Sequence, residues 1–208
     1  MNRNTVTFFI AGKAGRLECA LDLPEKEPVG IALLAHPHPL YGGTMHNKVV
    51  QVMAQSFADQ GYVIARMNFR GVGRSEGVHD FGNGETDDMA NLLDVMQKKY
   101  PGLPVVLGGF SFGTYIQSRL QQQMASDGNL PARMVLVSAT AGKWATDRVP
   151  ADTLLIHGEL DQLVPLSDVL DWARPQDLPV IVVAGADHLF NRKLHHIRNT
   201  IANAFPGR

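Results

Sequence analysis

Ser111 lies within Gly109-Phe110-Ser111-Phe112-Gly113, between the apolar run VVLGGF (105–110) and a helical pattern from about Phe112 to Met124. A serine on a sharp strand-to-helix turn, flanked by small residues, is lifted clear of a sheet at the positive end of a helix. Its chemistry would be attack on an acyl carbon. A neutral hydroxyl does this poorly, so it needs an adjacent base, and the base needs an acid to hold its tautomer. Both types follow in chain order. Glu159-Leu160-Asp161-Gln162 comes after the run TLLIHG, and Gly185-Ala186-Asp187-His188 after PVIVVA. Taken singly, these are a glycine-rich turn, a turn aspartate and a loop histidine. Three of them just past strand ends, in the order serine, acid, histidine, point to a triad of Ser111, Asp161 and His188. Glu159 is the competing acid, and Asp161 is preferred because it stands deeper in its loop.

The stretch AHPHPLYGGTMHNK carries His36, His38 and His46. Their density suggests a metal site. Yet His36 and His38 stand two apart at a strand end, where side chains diverge, and His46 lies near a helix start. The alternative is an oxyanion loop, which contributes one backbone N–H, the residue after the nucleophile giving the other. The second donor is then Phe112. Pro37 and Pro39 have no N–H to give, so His38 is the first candidate and Leu40 the fallback.

MNFRGVGRSEG (67–77) is glycine-rich after a strand, but its spacing differs from Gly-X-Gly-X-X-Gly and no helix opens directly from it. A structural loop is expected, with Arg70 pinning carboxylates or carbonyls. The single cysteine, Cys19, alternates with Leu17 and Leu21 and reads as a core residue of a strand. His195 and His196 read as surface residues, and His79 and His157 have no partner visible in the sequence.

These groups need a scaffold. TVTFFI and RLECALDL suggest an antiparallel pair. From residue 29 strand-like and helical patterns alternate: strands at 29–35, 62–69 and 105–110 and in RMVLVSA, TLLIHG and PVIVVA; helices at 46–60, 86–99, 112–124, near 167–174, and from about Phe190 to Ala204. The expectation is one α/β domain over 1–208, a mostly parallel sheet of about eight strands with helices on both faces and the site beyond the strands' carboxyl ends. The connection Ala139–Asp152, only fourteen residues, is too short for a lid domain. The site should be open, with Tyr41, Trp144, Leu189 and Phe190 as substrate-contacting walls beside Phe110 and Phe112.

With 208 residues, 45% apolar, and a net charge of −1 without basic clustering, the chain can bury a core and lacks a nucleic-acid footprint. No apolar run suggests a membrane span or a signal peptide. A soluble cytoplasmic protein is expected.

On AHPHPLYGGTMHNKVV, MNFRGVGRSEG, GGFSFG, HGELDQLVP and GADHLF, the chain resembles the α/β-hydrolase superfamily from Val29 to its C-terminal helix. Within it the chain is similar to small, lidless bacterial hydrolases. The resemblance implies a serine hydrolase with Ser111, Asp161 and His188 in the triad positions. The function expected is a cofactor-free, carboxylesterase-like enzyme acting on a small acyl substrate (ester, thioester or amide), with no nucleic-acid or membrane partner, as a monomer or homodimer. The rivals are a binding protein on the same scaffold and a metal-dependent hydrolase using His36, His38 and His46.

Overall fold

The apolar run IALLA forms β3 (Ile31–Ala35) near the centre of an eight-stranded sheet in the computed structural model, which describes residues 5–205. All five of its side chains are buried, as a strand covered on both faces requires. Ile31, Leu33 and Ala35 enter one core, Ala32 and Leu34 the other. β1 (Thr5–Gly12) and β2 (Gly15–Asp22) pair antiparallel, and β2 runs antiparallel to β4 (Val63–Met67). β4, β3, β5 (Val105–Phe110), β6 (Arg133–Val137), β7 (Leu154–Gly158) and β8 (Val180–Val183) then continue in parallel, in the order β1-β2-β4-β3-β5-β6-β7-β8. Cys19 sits in the first core, and burial pushes its thiol up to about 12, so it is held protonated and unreactive.

One face is covered by α1 (Lys48–Asp59) and α5 (Leu194–Ala204), the other by α2 (Asn83–Lys99) and α3 (Phe112–Ser126). α4 (Leu166–Ala173) lies between β7 and β8. Asn47 caps α1, its side chain accepting from the Val49 N–H at 2.9 Å. Two helix starts differ from the sequence reading. α2 opens three residues earlier than 86, because Glu85 reaches back to the Gly82 N–H at 2.9 Å and satisfies the first turn. α5 opens at Leu194 rather than near Phe190, because Phe190 and Arg192 adopt left-handed conformations incompatible with a continuing helix (φ 50° and 62°). The connection between β6 and β7 carries neither helix nor strand, so no lid stands over the carboxyl ends of the strands. Among the described residues no helix is long and apolar enough to cross a membrane.

Candidate active site

β5 ends at Phe110 and α3 begins at Phe112, leaving Ser111 alone at the bend with φ 53° and ψ −124°. A left-handed backbone at a non-glycine residue is strained by about 1–3 kcal/mol. The surroundings enforce it. The Ser111 N–H donates to Val137 O (3.0 Å), while Ser111 O accepts from the Thr114 N–H and hydroxyl, both at 2.7 Å. The two flanking glycines have separate reasons. A Cβ on Gly109 would stand 2.6 Å from Gly113 O, and one on Gly113 would stand 2.3 Å from Ala35 O. Glycine at these points lets α3 close on β5 and on the end of β3.

His188 Nε2 lies 3.0 Å from Ser111 Oγ, and His188 Nδ1 lies 2.7 Å from Asp161 Oδ2. The second oxygen of Asp161 accepts from the Leu163 and Val164 N–H groups, both at 2.9 Å. Burial raises the Asp161 pKa, but the His188 bond, the Val164 N–H and the neighbouring imidazoles outweigh it, leaving the carboxyl below its usual range. An ionised Asp161 can only accept, so His188 Nδ1 carries its proton there, and the uncharged form of the ring presents the Nε2 lone pair to the serine hydroxyl. His157, buried beneath, keeps Nε2 on Val164 O (3.0 Å) and 3.7 Å from Asp161 Oδ2; burial lowers its pKa and keeps it neutral. Glu159 turns away and accepts from the Gly185 N–H at 2.7 Å. The structure thus joins Ser111, His188 and Asp161 in one chain of hydrogen bonds and leaves the competing acid outside it.

The loop after β3 is folded tightly on itself. The Tyr41 and Gly43 N–H groups donate to His38 O, and a Cβ on Gly43 would collide with Pro37 O at 2.0 Å. The Leu40 N–H donates to His38 Nδ1 at 3.2 Å, so the fallback oxyanion donor is occupied. Among the described residues the N–H groups of His38 and Phe112 donate to no protein acceptor, as two oxyanion donors must. Their rings pack at a tilt with centroids 4.8 Å apart.

His36 anchors this loop from below. The Phe69 N–H donates to Nε2 at 3.0 Å, which places the ring proton on Nδ1, donating to Pro37 O at 2.6 Å. Burial drives its pKa down to about 3 from 6.5. A histidine depressed on folding stabilises the protein fully above its unfolded pKa, and that stability is lost as pH falls from 6.5 toward about 3. By pH 5 the loss from this group should reach about 2 kcal/mol, with His157 adding in the same direction. Urea unfolding at pH 7 and pH 5 should show this loss in the wild type and a smaller one in His36→Gln. An identical pH dependence in the two proteins would assign the acid sensitivity to other groups.

The three-histidine metal alternative is not assembled. Both His36 nitrogens are committed, His46 is exposed, and among the described residues no three His, Cys, Asp or Glu side chains form a group able to hold an ion. Arg70 does hold a carboxylate and a carbonyl, its guanidinium gripping Asp88 (2.7 and 2.8 Å) and Gly84 O (2.9 Å). Of the expected wall residues, Trp144 packs 4.9 Å from the Phe112 ring and 5.5 Å from His38, Tyr41 lies 4.8 Å from His38 and is largely exposed, and Leu189 is part-exposed. Phe190 is a correction. It is fully buried in the second core with Phe110 and Ile197, because the turn closed by its N–H on Asp187 O (3.0 Å) directs the ring inward. His79 was missed as a neighbour: its ring packs 4.8 Å from His38 while Nδ1 meets Glu85 at 2.7 Å. The only signal in the sequence was a histidine just before a helix whose first turn holds a glutamate.

Set against known proteins, residues 27–169 match the family described as serine aminopeptidase, S33. That span includes Ser111 and Asp161 and stops before His188. An uncharacterized Rickettsia prowazekii protein is 32% identical over 205 residues, covering 93% of this chain and 86% of that one. A monoacylglycerol lipase of Mycolicibacterium smegmatis is 31% identical over 93 residues, 43% of this chain and 31% of that one. The crystal structure of an α/β serine hydrolase without a lid from Xanthomonas campestris superposes with a TM-score of 0.90 at 30% identity, covering 100% of this chain and 98% of the other.

Proposed function

Because the chain belongs to the serine aminopeptidase S33 family and is an α/β-fold serine hydrolase, we propose that it cleaves carboxylic esters through an acyl-enzyme formed on Ser111. The observation that carries this reading is the continuous bond path from Asp161 through His188 to Ser111 Oγ, with the serine held in a strained turn. His188 takes the hydroxyl proton as Oγ bonds to the acyl carbon, then gives it to the departing alkoxide. The N–H groups of His38 and Phe112 receive the oxyanion. Water, deprotonated by His188, releases the acid and restores Ser111. No step calls on a cofactor.

Esters of apolar groups suit the mouth. Leu40, Tyr41, Phe81, Leu160, Leu163 and Leu189 are exposed on loops that follow β3, β4, β7 and β8, and they offer apolar contact area at that end of the sheet. Tyr41, Trp144 and Leu189 are the substrate contacts in this reading. The monoacylglycerol lipase relative supports ester chemistry. The test is a fluorophosphonate probe on the wild type, mapped by mass spectrometry, beside a panel of acyl esters, thioesters and aminoacyl amides. Labelling at Ser111 with turnover of the esters is the expected result. A folded protein that takes no label would favour a binding protein on this scaffold, and turnover confined to amides would replace the ester reading.

A further inference from the structure

We infer that His79 is a specificity-determining residue whose Nε2 accepts a hydrogen bond from a hydroxyl group on the ester substrate, a few bonds from the scissile carbonyl. This deepens the ester reading above and rests on it. Among the described residues five buried side-chain atoms have no hydrogen-bond partner, and His79 Nε2 is one of them. Its side chain is only 5% exposed. A buried polar atom left unpaired is costly and uncommon, so each one calls for a partner.

The chemistry of that partner follows from Glu85. Its carboxylate is fully buried and accepts from the Asp80 and Gly82 N–H groups, both at 2.9 Å. It can offer His79 only a lone pair, so Nδ1, 2.7 Å away, carries the proton. With that proton on Nδ1, the uncharged form of the ring presents Nε2 as an acceptor, in the same manner as His188 held by Asp161. What it accepts must be a donor. A hydroxyl supplies that donor without the desolvation cost that a charged group carries.

The location ties the donor to the reacting group. The His79 ring packs 4.8 Å from His38 and 5.5 Å from Phe112, the two residues whose N–H groups face the oxyanion in this reading. Its third ring neighbour is Phe81, at 5.1 Å. Of these three rings Phe112 is buried, His38 is half-buried and Phe81 is 67% exposed, so Phe81 is the surface side of the cover over His79 and can rotate when a substrate docks.

The hydroxyl can belong to the acyl or the alcohol part of the ester, and two matched pairs separate these sources. The acyl pair is 4-nitrophenyl 3-hydroxybutyrate against 4-nitrophenyl butyrate. The alcohol pair is 2-hydroxyethyl butyrate against propyl butyrate. Rates are divided by those of alkaline hydrolysis, to remove intrinsic reactivity. The wild type should favour the hydroxylated member of one pair by about tenfold or more in kcat/KM. His79→Leu and His79→Phe should bring that ratio to about one, and His79→Gln, whose amide oxygen accepts, should keep part of it. A ratio within one protein is insensitive to a general loss of activity or folded fraction. A wild-type ratio near one in both pairs overturns the assignment whether or not any variant folds, as does a ratio unchanged in His79→Leu and His79→Phe. Folded wild type that turns over no member of either pair overturns the ester reading itself, and this inference with it.

Discussion

Replacing Ser111 by alanine should lower kcat by roughly 10⁵–10⁶ and abolish fluorophosphonate labelling. In the proposed mechanism this hydroxyl bonds the acyl carbon, and His188 Nε2 stands 3.0 Å away to take its proton. The fold should survive, because alanine keeps the backbone bonds to Val137 and Thr114 and relieves nothing in the core. Asp161→Asn should cost less, roughly 10⁴ in kcat, since an amide NH₂ in place of Oδ2 would push the His188 ring into the wrong tautomer. Stopped and steady-state assays with the ester the wild type prefers read both effects. Undiminished labelling of Ser111→Ala would transfer the nucleophile elsewhere, and an Asp161→Asn enzyme within tenfold of wild type would break the bond path from which the mechanism was drawn.

At position 38 the backbone and the side chain should give opposite results. His38→Pro removes the N–H and should reduce kcat by roughly 10²–10³, the usual loss for one oxyanion donor. His38→Ala keeps the N–H and should lose about tenfold or less. That smaller loss has a visible origin: alanine removes the Nδ1 that accepts from Leu40 and the ring that packs against Phe112, so the loop slackens. The proline variant would place three prolines in a row, so its fold and its slow reaction with the fluorophosphonate probe must be shown first. If His38→Ala were as inactive as His38→Pro, the imidazole rather than the backbone would be at work, and the donor would have to be sought elsewhere in the loop.

Much of this site was legible in local residue types. The Gly109–Gly113 elbow, the apolar β3 and β5 runs and the order Ser111, Asp161, His188 each follow from short-range constraints: a tight turn admits few residues, and a strand buried on both faces must be apolar along its length. Prolines at 37 and 39 excluded themselves as N–H donors by covalent structure alone. Other choices depended on contacts across the sheet. Glu159 and Asp161 are equivalent carboxylates two positions apart. Only the packing of the β7 and β8 loops turned one to Gly185 and the other to His188. Phe190 had the composition of a pocket wall, but a left-handed turn, set by the Asp187 carbonyl rather than by any residue preference, sent its ring into the core. The histidines divide in the same way. Their density could be counted along the chain, yet it was the Phe69 N–H, thirty-three residues away, that made His36 a neutral strut. Glu85, reaching back from the first turn of α2, holds His79 Nδ1 and so sets the ring beside His38 in the loop after β3. Residue type sets what a side chain can donate or accept; which partner it meets, and so what it does, is decided by the elements that fold around it.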